Sequence, residues 1–246
     1  MSSDELNAAT PESDQGIDTA IDQKAALEYW SSISADVDGV LGGYPQVSRV
    51  DLQGSSNFLA KLRRRSKVYS ERRKLDHVVD CGAGIGRVTQ GFLSKVAHTV
   101  DIVEPVVKLT DVITKGEEFQ ELREKGAIGK VFNVGLEAWT PEVKYDMIWN
   151  QWCLGQLTDT QLLDYFGRIK DKVKHGGWIV VKENMSSDRY GQDIFDETDN
   201  SITRSDQKFR DLFEKAGLRI IATEVQRGFP KELYAVRVYA LQAAER

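Results

Sequence analysis

This chain is poor in the residues that build metal centres and disulfide frameworks. Its 246 residues include only two cysteines, Cys81 and Cys153, and three scattered histidines, His77, His98 and His175. Neither type shows a paired ligand spacing, so no metal site is expected. Two thiols without a disulfide framework fit a reduced cytoplasmic setting, with the nucleus also open. No apolar run approaches the roughly 20 residues needed to cross a bilayer, so no membrane association is expected. Nor does the opening carry a basic segment followed by an apolar core, as a signal peptide would. Excess positive charge is missing too. A formal net charge of −5 argues against general binding to nucleic-acid phosphates.

Residues 1–20 are polar and acidic with scarcely an apolar side chain, and are expected to be a disordered tail. The remainder, 21–246, is long enough to bury a core as one α/β domain, and a monomer is expected. It opens with a helical extension over 21–70. Helices are expected over Asp22–Ile33 and Ser55–Arg64, with VDGVLGGY (Val37–Tyr44) as a glycine-hinged loop between them. Strands then alternate with helices. Strands are expected over His77–Cys81, Thr99–Val103, Lys130–Val134, Tyr145–Asn150 and Trp178–Glu183, and the helices between them include Arg87–Val96 and Thr160–Val173. Such alternation predicts a parallel sheet covered on both faces. The last two strand-like stretches, Leu218–Val225 and Leu233–Leu241, are too close in sequence for a parallel crossover and predict an antiparallel hairpin. The expected fold is α/β and Rossmann-like: an open, mostly parallel seven-stranded sheet. Its ligands would sit at the C-terminal strand ends.

The run HVVDCGAGIGR (His77–Arg87) is the strongest local signal. An apolar strand leads into glycines at 82, 84 and 86, which let the backbone bend sharply and approach a ligand closely. The next strand ends in Glu104, at the spacing where a carboxylate grips both ribose hydroxyls. A dinucleotide fingerprint would have a third glycine at position 87, where this chain has Arg. S-adenosylmethionine has no pyrophosphate but carries a carboxylate that Arg87 suits and an ammonium that Asp80 suits. A ligand-free strand-to-helix turn is the bland alternative.

A second constellation gathers at the same rim. Gln151 and Trp152 end the fourth strand, and Asn184 ends the fifth. A polar insertion (185–204) follows, with Asp196, Glu197 and Asp199 close together. Acids beside a cofactor mouth suit a cationic substrate, the alternative being a solvated loop. The basic stretch Lys61–Lys74, including Arg63–Arg65, reads as a solvated helix end or as a tether for an acidic partner.

Together these stretches resemble the protein alpha N-terminal methyltransferases acting on X-Pro-Lys or X-Pro-Arg N-termini. The resemblance rests on EYW (Glu28–Trp30), VDGVLGGY, DCGAGIGR, Glu104-Pro105, GLEAWTP (Gly135–Pro141), IWNQW, VKENM, DETDNSITR (Asp196–Arg204) and KELYAVRVYAL (Lys231–Leu241). It implies methylation of α-amino groups after removal of the initiator Met, for instance on ribosomal proteins. S-adenosylmethionine would be held by Asp80, Gly82, Arg87, Glu104, Pro105, Val106, Leu136, Glu137 and Gln151. Peptide would be held by Tyr29, Trp30, Leu41, Val47, Trp152, Asp196 and Tyr234. Asp199 would accept the proton, with Asn184 orienting the amine.

One departure stands out. The family pattern has a histidine where this chain has Gln156, and an amide does not take a proton near neutral pH. Three readings stay open: Asp199 with water suffices, the enzyme is slow, or activity is lost. Methylation of a small basic metabolite and a cofactor-binding scaffold without turnover are the alternative functions.

Overall fold

The computed structural model describes residues 16–244. Seven strands form one sheet in the order β3-β2-β1-β4-β5-β9-β8. They span Leu75–Cys81 (β1), Ala97–Val103 (β2), Ile128–Phe132 (β3), Tyr145–Gln151 (β4), Val173–Met185 (β5), Leu218–Val225 (β8) and Ala235–Ala243 (β9). The first five run parallel. β9 pairs antiparallel with both β5 and β8, so the C-terminal hairpin is present. β4 is buried along its whole length, and the inner ends of β1 and β2 are too. Strands covered on both faces read as continuous apolar runs, which is why these were legible.

Alternation along the strands splits the core between the two faces. Val79, Cys81 and Ile148 pack with Tyr165, Phe166, Phe213 and Tyr239 on one side. Val78, Met147 and Trp149 pack with Phe58, Phe92 and Trp178 on the other. The helices supplying these layers are α3 (Val47–Arg65), α5 (Val107–Lys115), α6 (Gln120–Glu124), α7 (Asp159–Ile169) and α8 (Asp206–Lys215).

Several elements differ from the sequence reading, each for a physical reason. Helix α3 starts eight residues before the expected Ser55, because Val47, Asp51 and Ser55 form one buried stripe despite their mixed polarity. The expected loop 37–44 contains a helical turn, Val37–Val40 (α2), because the Asp36 carboxylate accepts the Gly39 N–H at 2.8 Å. The helix expected over 87–96 is interrupted by π-helical turns at Thr89–Leu93 before Ser94–Val96 (α4), a feature that often marks functional sites. The insertion at 185–204 folds as a small ribbon of Ile194–Asp196 (β6) and Ser201–Thr203 (β7). Residues 1–15 of the expected tail lie outside the described residues. Ile17–Ala20, within that tail, is instead a short 3-10 turn, docked because Asp18 accepts the Asp159 N–H at 2.8 Å.

Two short helices close over the C-terminal strand ends. Helix α1 (Gln23–Ser32) is capped by Asp22, whose carboxylate accepts from the Lys24 and Ala25 N–H groups. It is tied down by Gln23 donating to Gln161 at 3.0 Å and by Lys108 donating to the Ser31 and Ile33 carbonyls. Lys61 pairs with Glu224, and Arg63 donates to the Arg72 carbonyl, so part of the basic stretch serves the end of α3.

Candidate active site

Two cavities adjoin at the C-terminal edge of the sheet. The larger, about 570 Å³, lies over the turn after β1. All nine residues expected to hold a cofactor line it: Asp80, Gly82, Arg87, Glu104, Pro105, Val106, Leu136, Glu137 and Gln151. The glycine turn makes that possible. Gly82 has φ +66°, and a Cβ there would lie 2.3 Å from Cys153 Cβ. Gly86, at φ +78°, leaves no room between Phe119 and Ile113. Both positions need glycine for conformation and for space.

The polar groups around this cavity are held in place. Glu104 accepts the Gly84 and Val106 N–H groups at 2.9 Å, one on each oxygen. Each oxygen retains a lone pair, as gripping two hydroxyls requires. Burial pushes the Glu104 carboxyl up from its ordinary range, and those two N–H groups oppose the shift. Asp80 accepts the Thr89 hydroxyl at 2.6 Å, and burial pushes its carboxyl up to about 7. Leu136 and Glu137 sit on a loop whose carbonyls, together with that of Trp139, all accept from Arg168.

Arg87 and Gln151 meet on one buried carboxylate, that of Asp51 in α3. Arg87 Nη1 lies 2.8 Å from Asp51 Oδ2, and Gln151 Nε2 lies 3.0 and 2.8 Å from its two oxygens. Lys182, buried on β5, pairs with the same group at 2.5 Å and also donates to Ser55 Oγ. Burial would raise the Asp51 carboxyl, but Lys182 and Arg87 outweigh it and hold it below the usual carboxylate range. The Arg87 guanidinium also lies over the Trp152 ring, 5.4 Å from its centroid.

The smaller cavity, about 260 Å³, shares Trp30, Val40, Leu41, Trp152 and Gln156 with the larger. Tyr29, Val47, Asn184, Asp199 and Tyr234 also line it. Trp152 holds φ +54°, a strained value for a residue other than glycine. Its main-chain N–H donates to the Lys182 carbonyl at 3.1 Å. With its amide turned to satisfy both neighbours, Gln156 accepts the Trp30 indole N–H at 3.1 Å and donates to the Asp199 carbonyl at 3.3 Å.

Two buried polar atoms belonging to residues on this second wall have no hydrogen-bond partner: Asp199 Oδ1 and Trp152 Nε1. Burial raises the Asp199 carboxyl, with the Asp196 charge adding to it and Ser201 opposing. Burial and the charges of Asp199 and Asp196 likewise raise the Tyr29 hydroxyl. Asp196 lines neither cavity. It is exposed and turns its carboxylate onto the Thr198 N–H at 2.8 Å, staying at the rim where its charge still acts on Asp199.

With that geometry established, comparison with known proteins identifies the family. A family model for AdoMet dependent proline di-methyltransferases matches residues 18–242. The chain belongs to this family. An alpha N-terminal protein methyltransferase 1 from Schizosaccharomyces pombe is 42% identical over 221 residues, covering 88% of this chain and 94% of that protein. An N-terminal Xaa-Pro-Lys N-methyltransferase 1 from Xenopus tropicalis is 38% identical over 220 residues, covering 88% and 93%. A solved SAM-dependent methyltransferase from Leishmania major superposes with a TM-score of 0.77 at 34% identity, covering 89% of this chain and 82% of that one.

The residues present suit the cofactor of this AdoMet-dependent family. The larger cavity has the volume of a small-molecule site. It pairs a guanidinium for a carboxylate with a buried acid for a ribose, over a turn where Gly82 and Gly84 bring bare backbone to the wall. No group of three or more potential metal ligands occurs among the described residues. Sequence reading missed several parts of this methyltransferase site. Asp51, Lys182 and Arg168 brace it from outside, and Asn133 lines the first cavity while donating to the Glu104 carbonyl. Phe229 and Leu233 line the second. Of these, only Lys182 and Leu233 lay in stretches that the resemblance had singled out.

Proposed function

We propose that this methyltransferase modifies the α-amino group of protein N-termini beginning X-Pro-Lys or X-Pro-Arg, after removal of the initiator Met. The observation that carries the reading is Asp199, which lines a cavity sharing a wall with the cofactor cavity and whose buried Oδ1 has no hydrogen-bond partner. The names of the relatives support the same substrate class.

Bound cofactor supplies a methyl group on a sulfonium sulfur, which the amine nitrogen displaces. The chain's own work is to deliver that amine neutral and aligned. A free α-amino group has a pKa of about 7.7–8.0, so only roughly a tenth to a fifth is neutral at pH 7. Asp199 accepts the departing proton at Oδ1. Its raised carboxyl is a stronger base than an ordinary aspartate, which narrows the gap to the amine. Asn184, opposite Val236 at the end of β5, orients the amine. Tyr29 and Trp152 offer ring faces to the methylated ammonium. Gln156 takes no proton; it joins Trp30 of α1 to Asp199 of the insertion, so both sides of the amine's path are held together. Apolar Leu41, Val47 and Phe229 suit a second-position proline, which brings no N–H needing a partner. Asp196, at the rim, meets a basic third residue.

Mass spectrometry of a Ser-Pro-Lys peptide incubated with protein and cofactor tests the proposal. Methyl increments on the N-terminal residue are expected, and none on the same peptide after N-acetylation. Equal transfer to free small amines would point to a metabolite substrate. Cofactor binding without transfer to any amine would point to a scaffold.

A further inference from the structure

Asp51 lines neither cavity, yet three functional side chains converge on it. It sits in α3 of the N-terminal extension, fully buried, with Arg87, Gln151 and Lys182 all within hydrogen-bond distance of its carboxylate. Lys182 Nζ also donates to the Asp51 carbonyl and to Ser55 Oγ, so that cation is fully engaged with α3. Of the two cations, only Arg87 lines the cofactor cavity.

One carboxylate between two cations leaves one positive charge over. A buried ionic cluster is stable only when its charges and hydrogen bonds are matched. That charge faces the cavity through Arg87; Asp80 lines the same cavity, but burial pushes its carboxyl up to about 7 despite the pull of Arg87, so it offsets the charge only in part and an anionic ligand group would complete the balance.

We propose that Asp51 is a positioning residue for the cofactor's carboxylate: it fixes Arg87 and Gln151 at the cavity wall and, with Lys182, leaves the cluster one negative charge short. The N-terminal extension therefore completes the cofactor site from behind as well as covering it. This inference rests on the cofactor assignment and on Arg87 facing the carboxylate, and is independent of which amine is methylated.

The test compares binding of S-adenosylhomocysteine with that of its decarboxylated analogue by isothermal titration calorimetry, at equilibrium and without turnover. Wild type should prefer the carboxylate-bearing ligand by tenfold or more, the size expected for one charge-assisted pair. Asp51→Asn combined with Lys182→Met removes one charge of each sign and leaves Arg87 unanchored. That variant should lose most of the preference by weakening S-adenosylhomocysteine binding about tenfold, while the decarboxylated analogue changes less than threefold. Asp51→Glu, which keeps every charge but shifts the anchor of Arg87 by one methylene, serves as a second variant with the same expectation. An undiminished preference in a folded variant overturns the proposal, as does an equal loss for both ligands. Failure of both variants to fold would make Asp51 a structural residue of α3 and overturn it too. If wild type itself shows no preference, the fault lies in Arg87 facing the carboxylate, and the proposal falls with that assignment.

Discussion

Glu183 and Arg204 grip the same loop from opposite sides. The Glu183 carboxylate accepts the Cys153 and Leu154 N–H groups, each at 2.9 Å. The Arg204 guanidinium donates to the Leu154 and Leu157 carbonyls at 3.0 and 2.5 Å and pairs with Asp159. The loop between them carries Gln156 and follows Trp152, so the wall shared by the two cavities is set by one buried carboxyl group and one buried cation. Arg204 also ends the insertion that bears Asp199, coupling the wall to the proposed proton acceptor.

Replacing Arg204 with Met should therefore destabilise the protein by about 3 kcal/mol or more, because two carbonyls and Asp159 lose a buried partner. For a domain of this size that is a fall in Tm on the order of 10 °C. The Michaelis constant for peptide should rise as well. A Tm within two or three degrees of wild type, read by calorimetry, would show that the loop does not depend on this cation.

Glu183 gives stability a pH dependence. Burial pushes its carboxyl up to about 7 in the fold, against an ordinary value near 4.5. The protonated form is thus favoured by folding, so its contribution is full below the ordinary value and is lost as pH rises through about 7. The amount at stake is up to roughly 3 kcal/mol. Glu183→Gln keeps a carbonyl acceptor without the charge. Thermal melts from pH 5 to 8 should fall less steeply for this variant than for wild type. Identical slopes would remove Glu183 as a source of the pH dependence.

Gln156 joins α1 to the insertion through two hydrogen bonds. Loss of both costs about 1–3 kcal/mol, which predicts a peptide Michaelis constant raised about tenfold in Gln156→Ala. Cofactor affinity should change by less than threefold, since α1 stays tied by Gln23 and Lys108. A change confined to cofactor affinity would contradict this division of roles.

Asp199→Asn keeps the shape of the acceptor but not its basicity. Single-turnover methylation at pH 7 should fall at least tenfold and recover in part by pH 9, where the free amine deprotonates itself. An unchanged rate from pH 6 to 9 would remove Asp199 as proton acceptor.

Much of this arrangement was legible in sequence wherever the signal was local. The turn at Gly82–Gly86 and the acid at Glu104 follow a spacing set by strand length, and the apolar runs of β1, β2 and β4 reflect burial on both faces. Asp51 was not legible. Its partners lie 36, 100 and 131 residues away, and a lone acid outside any motif reads as helix surface. The place of Asp196 outside both cavities was not legible either, because charge and position did not reveal that its side chain would cap the turn at Thr198. The early start of α3 was hidden because its buried stripe includes Asp51 and Ser55, residues that read as exposed.

The most direct measurement is a crystal structure of the protein with S-adenosylhomocysteine and an X-Pro-Lys peptide bound together. The account predicts the thioether in the cavity over the glycine turn. The peptide's terminal nitrogen should lie beside Trp152, within hydrogen-bond reach of Asp199 Oδ1 and pointing at the sulfur. A terminal nitrogen seated elsewhere, with Asp199 turned to solvent, would contradict it.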